Sequence, residues 1–226
     1  MLPLGTEMKY QQPQNGVNRE NLAARAYMVV RKRILSRELK GGVLIVEGRL
    51  AQELALSRTP LREALRRLAG EGLLIKEGTR QFAVRQVSVT EFFESMRVRT
   101  ILESEMAGLA AGRLGSAEAE SLNAEIDSLK NIDSETQEHW TIDDHVHETI
   151  AKAGGNAVAA KIIRDLRTTT RMFEINRPFS RGRADAAEHR AILEAIQSED
   201  RAAAIAAMSD HLKNVANDVM KVIAGE

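Results

Sequence analysis

An aspartate and a histidine one helical turn apart, Asp143 and His147, have the spacing of a metal chelate. Residues four apart on a helix share a face, with Cβ atoms about 6 Å apart, and a carboxylate and a neutral imidazole so placed can hold one divalent ion. His189 and His211 lie on two later predicted helices, and antiparallel packing would bring both imidazoles to the same centre. Three imidazoles and one carboxylate suit zinc, nickel, manganese or iron and leave positions for water or a ligand. We expect zinc.

Each of these residues also has an ordinary structural interpretation. Asp143 and His147 can be a simple i, i+4 pair, and a lone histidine of a helical bundle is more often hydrogen-bonded or on the surface. A metal held there can be purely structural, or it can be catalytic, as in a metal-dependent hydrolase built on a helical bundle. The hydrolase interpretation lacks a clear general base and leaves the basic segment described next unexplained, so we expect that the chain is not an enzyme.

A second chemical pattern lies in residues 57–74, SRTPLREALRRLAGEGLL. Its leucines recur at i, i+4 and i+7, which predicts the buried face of a short helix. Its arginines recur at i, i+4 and i+8 and form a basic stripe: Arg58, Arg62 and Arg66. A helix N-terminus carries partial positive charge, which disfavours Arg58 at that position. A DNA groove in front of the helix would supply the compensating negative charge, so the stripe predicts a DNA-reading surface.

The segments around this helix predict a winged helix-turn-helix domain at residues 19–86. Helices are expected near 19–39 and 47–54, a turn at 55–56, and strands at 73–76 and 82–85 around a glycine-containing hairpin turn. In this motif the first residues of the recognition helix meet base edges in the major groove.

That geometry assigns roles to the candidate DNA contacts. Arg58 and Arg62 are expected to contact bases, because arginine can bind guanine through two hydrogen bonds. Ser57 and Thr59 can bind phosphate through hydroxyl or backbone N–H groups. Supporting contacts are assigned to Arg66 and, in the wing, to Thr79 and Arg80. The alternative is a solvated helix face, which the adjoining hairpin and the basic charge of this part of the chain disfavour.

The charge balance divides the chain into two modules. The 226 residues include 32 Lys and Arg and 32 Asp and Glu. Residues 1–88 hold 16 basic against 8 acidic residues, a net charge of +8, whereas residues 89–226 hold 16 against 24, a net charge of −8. This asymmetry is typical of a nucleic-acid-binding module joined to a module with another role.

The remaining composition excludes several classes of protein. With no cysteine there is no disulfide framework and no thiolate metal site, and no apolar run approaches the ~18 residues of a membrane span. Residues 1–18 are polar, contain Gly and Pro, and lack the layout of a signal peptide. We therefore expect a flexible N-terminal tail and a cytoplasmic protein that does not bind membranes.

Residues 89–226 predict helices throughout. The expected helices lie at 90–113, 116–131, 136–153, 156–175, 183–197 and 200–223. The predicted fold class is mainly α, an N-terminal winged helix-turn-helix plus a C-terminal antiparallel six-helix bundle.

Residues 50–65, LAQELALSRTPLREAL, followed by Leu68 and by EGL at 71–73, resemble the DNA-binding signature of GntR-family bacterial transcription regulators. The sequence departs from the family at Ala55, where Gly is usual, and at Gln81, near a wing position that is often Gly. The resemblance implies Arg58 and Arg62 as base readers, supported by Thr59 and the wing.

Residues 143–150, DDHVHETI, with AGGN at 153–156 and EHRAILEAI at 188–196, resemble the FCD ligand-binding domain of the FadR subfamily, and six helices suit its VanR-like branch. The resemblance implies a divalent metal held by Asp143, His147, His189 and His211. Arg99 opens an R-x-x-L-E stretch that is similar to the family's, and it could clamp an effector carboxylate. A plain i, i+4 pair between Arg99 and Glu103 is the alternative.

Together these patterns predict a ligand-responsive transcriptional regulator, expected to be a repressor. A homodimer would place two winged helices on near-palindromic operator DNA. The C-terminal domain, residues 89–226, would bind the metal and a small carboxylate effector. Such an effector must bind the DNA-competent and incompetent states unequally, since otherwise nothing switches.

Overall fold

The computed structural model describes residues 15–78, 81–131, 136–176 and 181–225. The N-terminal part folds as three helices and a small sheet: α1 Asn15–Leu35, β1 Leu44–Ile45, α2 Glu47–Glu53, α3 Arg58–Gly70, β2 Leu74–Glu77 and β3 Gln81–Val84. The sheet is antiparallel with strand order β1-β3-β2. This is the winged helix-turn-helix that the sequence predicts, with β2 and β3 forming the hairpin of the wing.

The apolar spacing of α3 explains how this domain holds its recognition helix. Leu61, Leu65 and Leu68 are fully buried and pack with Val30 and Ile34 of α1. Burial of a leucine stabilises a fold by about 1.5–3 kcal/mol, so three leucines on one face fix the rotation of α3. The opposite face, which carries the arginine stripe, is therefore directed away from the core.

The turn between α2 and α3 is tight, and Ala55 adopts a positive φ of 52° there. A left-handed backbone costs an L-residue about 1–2 kcal/mol, which glycine avoids. The departure from the family's usual Gly at this position therefore leaves the turn formed but strained.

The first helix differs from its predicted bounds at both ends. It begins at Asn15 rather than residue 19, so residues 15–18, assigned to the flexible tail, are helical. Asn15 and Gly16 are residue types that favour turns, so the sequence pattern predicts a helix that begins only after them. The helix ends at Leu35 because Arg37 takes a φ of 65°. Residues 1–14, the rest of the predicted tail, lie outside the described residues.

The C-terminal part is the predicted bundle of six helices: α4 Val89–Ala110, α5 Ser116–Leu129, α6 Gln137–Ala153, α7 Ala157–Asn176, α8 Gly182–Gln197 and α9 Arg201–Ala224. Side-chain caps begin four of them, including α7, where Oδ1 of Asn156 accepts from the backbone N–H of Ala159 at 3.0 Å. Ser88 accepts a hydrogen bond from the backbone N–H of Glu91 at 3.1 Å. In the same way, Thr136 caps α6 and Asp200 caps α9. No helix in the described part of the chain is long and apolar enough to cross a membrane.

Two helices of the bundle, α4 and α9, approach each other closely at Gly108. A Cβ built there would lie 2.6 Å from Cγ1 of Ile205, so glycine is required for this approach. The close packing brings α4, α6, α8 and α9 together around one interior, where four predicted site residues lie.

One side chain, Arg85, joins the two domains. Its Nη1 donates to the backbone carbonyl of Gly72 at 3.4 Å and to Oγ1 of Thr169, on α7, at 3.0 Å. Its Nη2 pairs with the carboxylate of Glu91 on α4. The segment between β3 and α4 is therefore fastened to both sides of the domain boundary.

Candidate functional site

The structure brings together the four residues that the sequence nominated as metal ligands. Asp143 and His147 lie on α6, His189 on α8 and His211 on α9, all buried. One ligand atom from each lies within 4.8 Å of all the others. Nε2 of His189 lies 3.4 Å from Oδ1 of Asp143 and 3.3 Å from Nε2 of His147.

Two carboxylates orient the imidazoles of this cluster. Nδ1 of His147 donates a hydrogen bond to Glu103 of α4, and Nδ1 of His211 donates to Oε2 of Glu188 at 2.8 Å. Each bond leaves the Nε2 atom of its ring directed toward the cluster centre. Metal-binding histidines commonly have such a carboxylate behind them, which fixes the tautomer and raises the basicity of the ligand atom.

The electrostatic surroundings keep the cluster in its ligating form. Burial lowers the pKa of His147, and Arg167 lowers it further. Burial also lowers the pKa of His189, well below its usual value, with His211 contributing. Burial opposes ionisation of Asp143, but the charge of Arg167 is the largest opposing effect, and the pKa of Asp143 lies well below the usual range. Neutral imidazoles and an ionised carboxylate are the forms that bind a metal.

The donor set therefore fits a divalent metal in kind, orientation and protonation. Three imidazole nitrogens and one carboxylate oxygen suit zinc and also nickel, manganese or iron. A second group of possible ligands, Asp185, Glu188 and His211, shares its histidine with the first. Glu188 is already bonded to Arg181 at 2.5 Å and to Asn214 at 2.9 Å, so we assign it to positioning His211 and not to a separate site.

Four buried arginines surround the cluster, and the sequence nominated one of them. Arg99 lies on α4 and makes the i, i+4 pair with Glu103, whereas its contact with an effector stays a prediction. Its Nε donates to Glu103 at 2.6 Å, and its Nη1 donates to Thr170 of α7 at 2.8 Å, while its side chain also lines the small cavity beside the cluster. Arg181 precedes α8 and pairs with Asp185 at 3.0 Å.

The other two arginines, on α7, are the residues that the sequence interpretation missed. The near-helical spacing of Arg164, Arg167 and Arg171 favours a solvated face from which one arginine could reach the pocket, but in the structure only Arg164 is exposed, and Arg167 and Arg171 are both buried. Each of these two is 5% exposed. Nη2 of Arg167 donates to Oδ2 of Asp143 at 2.6 Å, and Nη1 of Arg171 donates to Oδ2 of Asp144 at 2.6 Å. All three arginines lie within about 60° of one another around the helix, so their spacing gave no signal that separates the buried pair from Arg164.

The cavity beside the cluster, called the inner cavity below, is polar and small. It is lined by Arg99, Trp140, Asp143, Asp144, Arg167 and Arg171, among other residues, and has a volume of about 20 Å³. That is room for about one water molecule. Trp140 walls this cavity, with its ring 5.4 Å from the guanidinium of Arg171.

Several arginine donors at the inner cavity have no partner. Nε and Nη1 of Arg167 and Nε and Nη2 of Arg171 are buried without a hydrogen bond. A buried donor without a partner costs about 1–3 kcal/mol. Four such donors on two neighbouring guanidinium groups form a site to which the oxygens of an anion can bind.

The arginine stripe of α3 lies on the protein surface. Arg58, Ser57 and Thr59 are exposed at the start of the helix, and Arg66 is exposed one turn beyond Arg62. The side chain of Ser57 makes no capping hydrogen bond, and the first turn contains no acidic residue. The backbone N–H groups at this helix end are therefore free to bind a phosphate.

Arg62 differs from its neighbours on the stripe. Its Nε donates to Oε2 of Glu47 on α2 at 2.6 Å, and its side chain remains 43% exposed. The guanidinium of Arg58 lies over Gly48, where a Cβ would be 3.4 Å from its Nη2. The other two predicted contacts, Thr79 and Arg80 of the wing, lie outside the described residues.

A winged helix with an exposed basic recognition helix, joined to a helical bundle that gathers histidines and arginines, defines a two-domain DNA-binding regulator. Two family models match the chain. Bacterial regulatory proteins, gntR family, covers residues 22–84, and the FCD domain covers residues 94–214. The chain belongs to the GntR family of transcription regulators that carry an FCD domain.

Individual relatives agree with this assignment. The chain is 29% identical over 181 residues to a probable D-xylose utilization operon transcriptional repressor of Paenarthrobacter nicotinovorans, covering 76% of each protein. It is 25% identical over 169 residues to the gluconate operon transcriptional repressor of Bacillus licheniformis, covering 71% of this chain and 67% of that protein. Among solved structures, E. coli McbR/YncC has the same fold with a TM-score of 0.73 at 18% identity, over 90% of this chain and 98% of that one.

Proposed function

We propose that this chain is a ligand-responsive repressor whose C-terminal domain binds a divalent metal and a small carboxylate, and whose operator affinity changes when the carboxylate binds. The observation that carries the effector part is the set of unpartnered donors on Arg167 and Arg171, directly beside Asp143 of the histidine cluster. One carboxylate could bond to those donors and to the metal at the same time. The arginines and the metal would then hold it jointly, which neither could do alone.

The metal site of this proposal consists of Asp143, His147, His189 and His211. Zinc is the proposed ion, because neutral imidazoles and one carboxylate are ligands that it prefers. When bound, the metal would act as a Lewis acid toward an effector oxygen and would tie α6, α8 and α9 together. Arg99 holds Glu103 in position, and Arg167 holds Asp143 in position.

For DNA binding we propose that Arg58 and Arg62 read bases and that Ser57 and Thr59 bind phosphate. The exposed, uncapped N-terminus of α3 supports this assignment. Arg66 is proposed as a supporting contact, and the wing residues Thr79 and Arg80 remain predictions from the sequence. An operator-binding role also requires the protein to act in the cytoplasm, where bacterial DNA is located.

A homodimer is part of the proposal, and the apolar surface of the bundle supports it. Four large apolar side chains on the neighbouring helices α4 and α7 are strongly exposed: Val98 at 42%, Ile101 at 70%, Val158 at 70% and Ile162 at 42%. Exposed apolar clusters of this kind mark contact surfaces. A second copy packed on this face through a twofold axis would present two α3 helices to a near-palindromic operator.

The rival hydrolase function has less support. The carboxylates beside the cluster, Glu103 and Glu188, are both engaged in holding histidines, so neither is placed as a general base. We therefore propose a regulator that is not an enzyme. The VanR-like assignment of the bundle remains a prediction. Sugar acids deserve inclusion among candidate effectors because one relative is a gluconate operon transcriptional repressor.

A thermal-shift screen of carboxylates, with and without zinc, tests the effector proposal. We expect stabilisation by at least one acid that depends on zinc, since a ligand that binds only the folded state stabilises it. His189→Ala should abolish the zinc-dependent part, while His145→Ala, at an exposed histidine paired with Glu125, should retain it. Equal responses of wild type and His189→Ala would contradict the proposal.

A further inference from the structure

A second, larger cavity lies between the two domains, and it is called the interdomain cleft below. It has a volume of about 380 Å³ and is lined by Tyr27 and Arg31 of α1, Asp144 of α6, and Arg164, Arg167 and Arg171 of α7, among other residues. Pockets for small molecules typically have volumes of about 300–1,000 Å³. The cleft is thus large enough for an effector, whereas the inner cavity holds about one water.

The two cavities share a wall. Asp144, Arg167 and Arg171 line both of them. The wall is closed by ion pairs from Asp144, whose Oδ1 accepts from Arg167 at 2.8 Å and whose Oδ2 accepts from Arg171 at 2.6 Å. A ligand anion that took the place of Asp144 on these two arginines would join the cleft to the inner cavity.

The cleft also contains a cation on the DNA-binding side, Arg31. Arg31 makes no hydrogen bond or ion pair with any residue that the structure describes. Arg31 and Arg171 line the same cleft, and burial lowers the pKa of Arg171, with the charge of Arg31 lowering it further. The other cations of the cleft are paired, Lys161 with Asp165 at 2.8 Å and Arg164 with Glu148 at 3.6 Å. Arg31 therefore remains available to an anion in the cleft, whereas Arg171 is paired with Asp144 at 2.6 Å.

We propose that the interdomain cleft and the inner cavity form one effector site for a short-chain dianion, with one carboxylate at the Arg167 side of the histidine cluster and a second anionic group between Arg31 and Arg171. The inference rests on the proposed effector function and adds a ligand class to it. The second group is a carboxylate or a phosphate, since both bind guanidinium groups through two oxygens. A monoanion would lack the second of these two contacts.

This placement gives the ligand direct contact with both domains. Arg31 belongs to α1, which packs on α3 through Val30 and Ile34, and Arg171 belongs to α7. A dianion bridging them binds one relative orientation of the domains better than others, which is what coupling to DNA affinity requires.

Calorimetric titration of the zinc-reconstituted full-length protein tests the inference. The probes are two matched pairs, butanoate with succinate and glycerate with 3-phosphoglycerate, so that the pairs distinguish a carboxylate from a phosphate as the second group. In at least one pair we expect the member with two anionic groups to bind at least about tenfold more tightly than the member with one, because its second group makes additional charge-assisted hydrogen bonds.

Variants locate the second group. Arg31→Ala should weaken the dianion about tenfold and leave the monoanion within about twofold, and Arg25→Ala, at an exposed arginine of the same helix, should change neither. Asp144→Asn should instead tighten the dianion, because it removes the internal competitor for Arg167 and Arg171. Dianions that bind no better than monoanions, or an Arg31→Ala effect equal on both, would overturn this inference alone. Failure of every probe to bind would overturn the effector proposal with it.

Discussion

The imidazole of His147 on α6 donates a hydrogen bond through Nδ1 to Glu103 on α4, and Arg99 holds the same carboxylate through Nε at 2.6 Å. All three side chains are almost fully buried. This arrangement fixes the ring of His147 with its Nε2 atom 3.6 Å from Oδ1 of Asp143. The R-x-x-L-E stretch of α4 thus positions the imidazole of His147 through Glu103.

Replacement of Glu103 by Gln should weaken zinc binding by about 10–100-fold, the usual effect of removing a carboxylate that orients a metal-binding histidine. Competition with a chromophoric chelator measures this affinity. Glu125→Gln is the matched control, since Glu125 pairs with the exposed His145 at 2.8 Å. Unchanged zinc affinity in a folded Glu103→Gln protein would mean that His147 does not need this partner to bind metal.

The metal-free protein should lose stability as the pH falls from 7 to 5. Burial lowers the pKa of His147 and His189 in the folded state, so the unfolded chain binds more protons once the pH falls below about 6.5. Each histidine contributes at most about 1.4 kcal/mol per pH unit. His139 acts in the opposite direction, because its hydrogen bond to Asp185 raises its pKa against the effect of burial.

Two histidines lower the stability at low pH and one raises it, so the free energy of unfolding should fall as the pH falls. Denaturant unfolding in the presence of a chelator measures this change. His189→Gln should make the free energy of unfolding less dependent on pH, whereas His145→Gln, at an exposed position, should not. A free energy of unfolding that rises between pH 7 and 5 would contradict the assignment of neutral, buried imidazoles.

Substitution of Arg62 by Ala should reduce specific operator binding by about 1–3 kcal/mol, the typical contribution of a two-bond arginine contact with guanine. Binding to random duplex should change much less. Fluorescence anisotropy at matched salt concentration separates the two. Lys152→Ala, at an exposed position on α6, is the control. An equal loss on operator and random DNA would assign Arg62 to phosphate binding instead.

Replacement of Ala55 by Gly should stabilise the winged domain by up to about 1 kcal/mol, because it relieves the positive φ of 52° at little loss of contacts. Ala206→Gly in the middle of α9 should have the opposite effect, a loss of about 1 kcal/mol. Chemical denaturation of both variants checks the signs. A destabilised Ala55→Gly protein would show that this turn is not strained.

Local sequence patterns were sufficient for the architecture of this chain. The leucine spacing of α3 predicted its buried face, and the breaks after residues 113 and 153 predicted the helices of the bundle within a few residues. The bounds of α1 were wrong because local turn formers at Asn15 and the left-handed Arg37 are not visible in apolar periodicity.

Sequence patterns predicted only some of the residues of the candidate site. Asp143 and His147 share a helix, so their spacing revealed them, and the remaining histidines were few enough to be grouped. Arg167 and Arg171 were missed because an arginine-rich helix face is usually solvated, and only the tertiary packing of α7 against α4 and α6 buries them. Arg181 has an i, i+4 partner in Asp185, which is the spacing of an ordinary helix pair, and its distant partner Asp218 is brought to it only by folding.

The central claim is that the histidine and arginine site of the bundle controls DNA affinity. The most direct measurement is the operator Kd of zinc-reconstituted protein, with and without a saturating carboxylate, for wild type and His189→Ala, on a duplex selected by the wild-type protein. The account predicts a change of at least about fivefold in wild type, the lower end of typical coupling, and less than about twofold in the variant. An operator Kd that the carboxylate leaves unchanged in wild type, or changes equally in both proteins, would contradict it.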